Sequence, residues 1–259
     1  MQTARRAVRT RGRVGNKLPQ PYVALDAMGV YFRQGQVSLI VAAPGGGKTA
    51  FALNYALKAG VPCLYIAADL DLYSMGMRTM AIESGKFVDE IEAAIEADLE
   101  LPDGAPQVVF GSDSSPTIAD IVDEVRAYVE IHGQFPPLLI VDNLINVVGQ
   151  GESVWHSVRQ AVDQLHELAR TAEIHVMILG HATGMYGDGT LKIPLSGIEH
   201  KPGNNARLVL TLDRPNLNTI NVRIVKHNGG KADGNGGLFV QLYCDLARMD
   251  IANMPGRVT

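Results

Sequence analysis

The stretch VSLIVAAPGGGKTAFALNYAL, from Val37 to Leu57, admits few folds. Val37 to Ala43 is a nearly unbroken apolar run, the pattern of a parallel strand buried on both faces. Pro44, Gly45, Gly46 and Gly47 continue neither strand nor helix, so the chain turns there. From Thr49 to Lys58, Phe51, Leu53 and Leu57 recur among alanines at helical spacing. Ala42 to Thr49 fits the Walker A pattern when Ala is admitted at its first position. Pro44, Gly45, Gly46, Gly47, Lys48, Thr49 and Ala50 therefore form the expected ATP site. Glycines let backbone N–H groups close around a triphosphate, and the helix N-terminus adds partial positive charge. Lys48 would reach the outer phosphates and the Thr49 hydroxyl would hold Mg²⁺. A glycine turn that happens to precede Lys-Thr is the plainer alternative, but strand and helix sit where the motif needs them.

The rest of the composition narrows the setting. With 259 residues, 46% apolar and 19% charged, the chain can bury a large core. A net charge of -4 carries no global nucleic-acid signature, yet the charge is uneven. Residues 1–20 hold Arg5, Arg6, Arg9, Arg11, Arg13 and Lys17 with no acid. This basic arm reads as a solvated, disordered tail, as a contact for nucleic acid or a neighbouring subunit, or, less well, as a transit peptide. Residues 21–259 read as one domain. Cys63 and Cys244 lie far apart in apolar runs, outside any metal or redox spacing, and are expected as buried free thiols. No apolar stretch approaches the length of a membrane span and no signal-peptide pattern occurs, so an intracellular, cytoplasmic protein is expected.

Further elements follow in order. Leu25 to Gly35 reads as an irregular lead into the first strand, and Pro62 to Ala68 as a second buried strand ending at Asp69-Leu70-Asp71. Helices are expected through Met75, Met77, Met80 and Ile82, over Phe87 to Leu99, and from Ser115-Pro116 to about Ile131. Gln107 to Phe110 reads as a short strand. Pro137 to Asp142 (PLLIVD) is an apolar strand ending in a carboxylate, the Walker B form, which places Asp142 to orient the Mg²⁺ shell at the sheet edge where open α/β sheets bind ligands. A helix from about Ser153 to Ala172 leads to the strand His175 to Gly180, which delivers His181 to the same edge. Residues 182–206 are rich in glycine and lack periodicity; a loop this long inside a domain is functional or disordered. Three strands close the chain, Arg207 to Leu212, Thr219 to Lys226 and Leu238 to Tyr243, with a turn at Asp213-Arg214-Pro215-Asn216 and a glycine-rich connection before the last.

This order of parts resembles a RecA-like ATPase core, and more closely the helicase domain of DnaB-type replicative helicases, from about Ala24 onward. The resemblance implies an α/β fold with a mainly parallel central sheet flanked by helices, followed by a C-terminal β-hairpin region. The family's Ser-Leu-Glu-Met segment corresponds to Ala67-Ala68-Asp69-Leu70, with Arg78 nine residues beyond Asp69. Its strand ending in a polar sensor corresponds to HVMILG and His181, its Ser-Ile-Glu segment to Ser196-Gly197-Ile198-Glu199, and its Lys-Gln-Arg-Asn-Gly to Lys226-His227-Asn228-Gly229. Departures are that Asp69 replaces the catalytic Glu, His181 replaces Gln, and the Arg of the terminal motif has no counterpart after Lys226. The family's primase-recruiting domain has no counterpart in residues 1–20, as in stand-alone, phage-encoded relatives, for which the compartment is the host cytoplasm.

The resemblance implies a DNA-acting ATPase, a helicase core in DNA replication, that hydrolyses ATP with Mg²⁺ between subunits of a homo-oligomer, a hexameric ring or a filament, on single-stranded DNA. Asp69 would polarise the attacking water, with Asp71 as its competitor and a helix N-cap as the plainer role. His181 would sense the γ-phosphate, and Lys226 would reach the neighbour's nucleotide. The loop after His181 would grip DNA through Lys192, His200 and Lys201, with Arg207 starting the strand that leaves it. A strand-exchange recombinase and a regulatory ATPase without DNA are the rival readings.

Overall fold

The computed structural model describes residues 12–68, 70–100, 107–111, 115–146, 154–199 and 205–256. The buried apolar run expected before the glycine loop is strand β1, Gln36–Ala42, and all its residues but the first are buried. The loop passes into helix α2, Lys48–Ala59, which ends at Gly60 in the left-handed conformation. Upstream of both, a five-residue helix α1, Val23–Ala27, interrupts the stretch read as irregular. One helical turn is too short to leave a periodic signal, and α1 is held by the buried Tyr22 and Leu25.

Strand β2 (Cys63–Ala67) precedes helices α3 (Leu72–Ser84) and α4 (Val88–Glu96). Strand β3 (Val108–Gly111) and helix α5 (Ile118–His132) follow. The latter starts at Thr117, whose hydroxyl and the Asp120 carboxylate satisfy each other's backbone N–H groups, rather than at Pro116. Strand β4 (Leu138–Asp142), helix α6 (Val154–Thr171) and strand β5 (His175–His181) complete the expected alternation. Four strands close the chain: β6 (Leu208–Asn216), β7 (Thr219–His227), β8 (Phe239–Asp245) and β9 (Asp250–Ala252).

Among the described residues these strands form one nine-stranded sheet in the order β3-β2-β4-β5-β1-β6-β7-β8-β9. The ladders from β3 to β6 are parallel and those from β6 to β9 antiparallel. Alternation along β1 splits the core between the faces: Ile40 and Ala42 join Phe51, Leu53 and Tyr55 of α2, while Val37, Leu39 and Val41 join Val158, Val162 and Leu165 of α6. Cys63 and Cys244 are free and buried, and burial pushes both thiols up, Cys244 to about 11. No described helix is long and apolar enough to cross a membrane.

The expected turn at Asp213 to Asn216 is instead the end of β6, and the chain reverses at Leu217-Asn218. Asp213 is drawn into the ladder because its buried carboxylate accepts bonds from Asn221 and Arg223 of β7. Pro215 is tolerated because the pairing of β6 with β1 stops at Leu212 and its pairing with β7 is irregular between Asp213 and Asn216. Of the basic arm, the described part from Gly12 is bound to the core: Arg13 donates its N–H to Glu173, Gly15 to the Gln34 carbonyl and Leu18 to that of Phe32.

Candidate nucleotide site

The site is built where β1, β4 and β5 end side by side. Gly47 turns the chain into α2 at φ 92°, a conformation that glycine adopts freely, and Gly46 passes so close to Ala43 that an added Cβ would lie 2.9 Å from its carbonyl oxygen. The loop therefore keeps its backbone N–H groups uncovered by side chains. Lys48 is buried, with its ammonium 3.6 Å from Asp142 Oδ1. Thr49 Oγ1 donates to Asp142 Oδ2 at 2.7 Å, so the two elements read from sequence as Walker A and Walker B meet directly.

Asp142 is 1% exposed, and its Oδ2 also accepts a 2.8 Å bond from the Tyr65 hydroxyl. Tyr65 is the residue that sequence reasoning missed; its signal is one hydroxyl inside an otherwise aliphatic buried strand, which demands a partner. Burial, then the Asp142 charge, raises the phenol well above its ordinary value, so it stays a donor. Arg78 of α3 acts on the same hydroxyl in the opposite direction. Asp142 Oδ1 has no hydrogen-bond donor and faces Lys48. A buried carboxylate oxygen without a donor, beside a threonine hydroxyl, suits a hard cation that takes one or two protein oxygens and completes its shell from phosphates and water. Thr49 and Asp142 thus fit Mg²⁺; among the described residues no three His, Cys, Asp or Glu side chains cluster to hold a metal by themselves.

Asn143, joined to Asp142 by a cis peptide bond, is a second residue absent from the sequence reading. Its side chain lies 3.0 Å from His181 Nε2, which as acceptor of the amide N–H leaves the ring proton on Nδ1. His181 pairs with Ala42 at the end of β1, and its carbonyl accepts the Glu199 N–H at 3.1 Å. Lys48, Thr49, Asp142 and His181 are brought together, as the sequence reading placed them. Asp69 lies outside the described residues. Asp71 is the N-cap of α3, with its carboxylate accepting from the Ser74 N–H and hydroxyl at 2.9 and 2.8 Å, bonds that lower its pKa. The capping role that competed for Asp69 is therefore filled by its neighbour.

The described part of the loop after His181 is folded down on the sheet. Ala182 bridges Ile198, the Ile193 carbonyl takes the Thr211 hydroxyl at 2.7 Å, and the Leu195 N–H reaches the Gly234 carbonyl at 2.8 Å. A side chain at Gly189 would meet Ala43 at 3.6 Å, so this loop runs beside the P-loop. Lys192 is exposed next to Gly236. His200 and Lys201 lie outside the described residues. Arg207 and Lys226 sit elsewhere: the Arg207 N–H bonds Val37 at the start of β1, and Lys226 lies opposite Val209 near the start of β6. Both are at the sheet edge opposite the P-loop, so Arg207 is separated from Lys192 by the length of the strands.

A mainly parallel sheet with a glycine loop after its central strand, a magnesium-fitting Thr–Asp pair and a polar residue, His181, at the end of the adjoining strand defines a RecA-like P-loop ATPase core. Comparisons agree. A family model described as "AAA domain" matches residues 26–183. The Gene 65 protein of Mycobacterium phage L5 is 36% identical over 256 residues, covering 93% of this chain and 95% of the relative. The chain belongs to this AAA-domain ATPase family and is a relative of the mycobacteriophage Gene 65 proteins. Among solved structures, a DnaB-like replicative helicase, solved to show its interactions with primase, superposes with a TM-score of 0.79 at 17% identity, over 96% of this chain and 66% of the other. A separate solved ATPase domain gives 0.79 at 16% identity, covering 96% of this chain and 95% of that one. The core is thus close in fold to DnaB-type ATPase domains.

Proposed function

We propose that the protein is an ATP-driven DNA motor, a DnaB-like helicase core that hydrolyses ATP between subunits of a homo-oligomer and moves single-stranded DNA. The observation that carries this reading is the double attachment of His181. Its ring meets Asn143, the residue after Asp142, while its backbone holds Glu199 and with it the end of the loop 182–199. A change at the outer phosphate reaches the loop through one residue, which is what a motor requires of its nucleotide site.

The geometry of the site supports the roles that follow, except that of Asp69, which rests on the resemblance alone. Gly45 to Ala50 wrap the phosphates, and Lys48 shifts its ammonium from Asp142 to the outer phosphate oxygens. Thr49 and Asp142 hold Mg²⁺, which when bound neutralises charge on those oxygens. Tyr65 fixes the Asp142 carboxylate so that Oδ1 points toward the site. Asp69 accepts the proton of the attacking water, a role for which its reach, one methylene shorter than Glu, means slow turnover. Lys226 cannot serve the nucleotide of its own chain. The seven residues of β1 separate the sheet edges by about 20 Å, so a cation at the far edge serves a neighbouring copy. Likeness to a replicative helicase supports unwinding over strand exchange.

A forked DNA duplex with ATP and Mg²⁺ tests the reading. Displacement of one strand by the parental protein, and none by Lys48→Ala, is the expected result. ATP hydrolysis with no displacement, or exchange of homologous strands in its place, contradicts it.

A further inference from the structure

The segment that leads from the basic arm into the core brings two cations face to face. Lys17 forms an antiparallel bridge with Arg33, so the two residues lie directly opposite each other, an arrangement in which like charges repel. Among the described residues neither forms an ion pair with a carboxylate. What both meet instead is the Tyr31 ring. The Lys17 ammonium sits 3.4 Å from its centre and the Arg33 guanidinium 5.8 Å from the same point, while Arg33 Nη1 donates to the Gly15 carbonyl at 3.0 Å. The acids close by are turned to other donors: Asp26 accepts the Tyr31 hydroxyl, and Glu173 the Arg13 N–H at 2.9 Å. The groove that Val14 and Gly35 share with α6 carries Asp163 and Glu167, but three arginines, Arg159, Arg170 and Arg207, line it beside them.

The cationic strip continues to the end of β7. Burial first, then the Arg33 charge, lowers the His227 pKa, so the guanidinium lies near that ring. Gly230 passes so close to His227 that an added Cβ would be 2.5 Å from Nδ1, and the next residue, Lys231, is exposed. Asp233 is turned to the N–H groups of Asn235 and Gly237, and the Lys192 charge lowers its pKa further. The strip therefore runs from the exposed Arg13 and Lys17, where the arginine-rich sequence from Arg5 to Arg11 joins it, toward the loop that carries Lys192. Arg33 precedes β1 by three residues, so this strip starts at the sheet edge about 20 Å from the P-loop.

We infer that Arg13, Lys17, Arg33 and Lys231 form a second DNA surface, which holds the phosphate backbone of the duplex next to the single strand gripped by the loop after His181. The choice of DNA among polyanions rests on the DNA-motor reading above. Surfaces for single strands combine cations with aromatic faces on which bases stack. Here the aromatic of the strip, Tyr31, is capped by the Lys17 ammonium and tied to Asp26, so it spaces two cations instead of offering bases a platform. Cations without a stacking platform read phosphates alone, and a duplex presents its phosphates outward with the bases turned in. Because the strip leads to Lys192, duplex and single strand are held side by side, as at a fork.

The test measures binding of the full chain to a blunt duplex, and to one of its strands alone, across a range of salt. In the triple variant Arg13→Gln, Lys17→Gln, Arg33→Gln, duplex affinity is expected to fall, and the slope of log affinity against log salt to flatten by about three phosphate contacts' worth, ~0.9 for each. Affinity for the single strand and basal ATP hydrolysis should stay at their parental values. Lys17→Gln alone should remove about one contact's worth and Lys17→Arg none, which decides the point if loss of the Arg33 bond to Gly15 prevents the triple variant from folding. A parental duplex slope in the folded triple variant, or in Lys17→Gln alone, overturns the inference. So does an equal loss for both probes, which would assign the strip to single strands. If the parental chain binds the single strand but not the duplex, this inference falls and the motor reading stands; if it binds neither, the motor reading falls as well.

Discussion

Thr49 and Asp142, separated by 93 positions in sequence, share a 2.7 Å hydrogen bond through which the glycine loop and the fourth strand become one site. The same carboxylate oxygen takes the Tyr65 hydroxyl at 2.8 Å, and a buried charge bonded in this way depends on each of its donors. Tyr65→Phe should lower the unfolding free energy by about 2 kcal/mol in denaturant titrations and raise the Mg²⁺ concentration needed for half-maximal hydrolysis. Unchanged values for both would remove Tyr65 from the support of Asp142.

Acid sensitivity should trace to His175 rather than to the nucleotide site. The ring is buried between the Ser38 hydroxyl and the Arg33 carbonyl, both 2.9 Å away, and burial lowers its pKa from 6.5 to about 4. The unfolded chain takes this proton first. The stability contributed by the neutral ring is therefore complete above pH 6.5, drains as the pH falls, and is gone near pH 4, a loss of about 3 kcal/mol. Unfolding free energies of His175→Gln measured across this window should show a flatter pH dependence than those of the parent. An identical slope would place the sensitivity elsewhere.

A third expectation concerns the fastening of the closing strands. Arg223 and Asp213 form a buried ion pair, and Arg223 also donates to the Gly236 carbonyl at 2.6 Å and lies over the Phe239 ring at 4.8 Å. Arg223→Met strands the Asp213 charge and should cost about 3–5 kcal/mol, whereas Arg223→Met with Asp213→Leu should be less destabilised than the single variant. Calorimetry of the two variants decides; a double variant as unstable as the single one would mean that the pair's charge is not what matters.

The strands and helices around the P-loop were legible because long apolar runs and helical spacing carry most of the signal, and PLLIVD and HVMILG brought Asp142 and His181 to the right edge. What escaped was local or lateral. The five residues of α1 and the three of β9 are too short for periodicity, and the Asp-Arg-Pro-Asn tetrad has turn composition although its aspartate is claimed by Arg223 across the ladder. Tyr65 and Asn143 act on Asp142 and His181 through contacts between strands that no linear spacing encodes. The β-bulge that leaves Val225 of β7 without a partner on β6 likewise escaped, because a register shift of this kind belongs to the pairing rather than to either strand alone.

The loop after His181 provides the fourth expectation. With Lys192 exposed on it, Lys192→Ala combined with Lys201→Ala should weaken binding of single-stranded oligonucleotides of every sequence alike. The slope of log affinity against log salt should flatten by about two phosphate contacts' worth. Basal hydrolysis should persist while its stimulation by DNA is lost. An unchanged slope would move the DNA contact to another surface, with the arginines between Arg5 and Arg13 next to be tested.

The rate of ATP hydrolysis with and without single-stranded DNA, measured on the parental chain beside Lys48→Ala, tests the central claim most directly. A DNA motor predicts Mg²⁺-dependent hydrolysis that rises when DNA is added and vanishes in Lys48→Ala. Parental hydrolysis indifferent to DNA at every salt concentration would contradict it and leave an ATPase without a DNA partner.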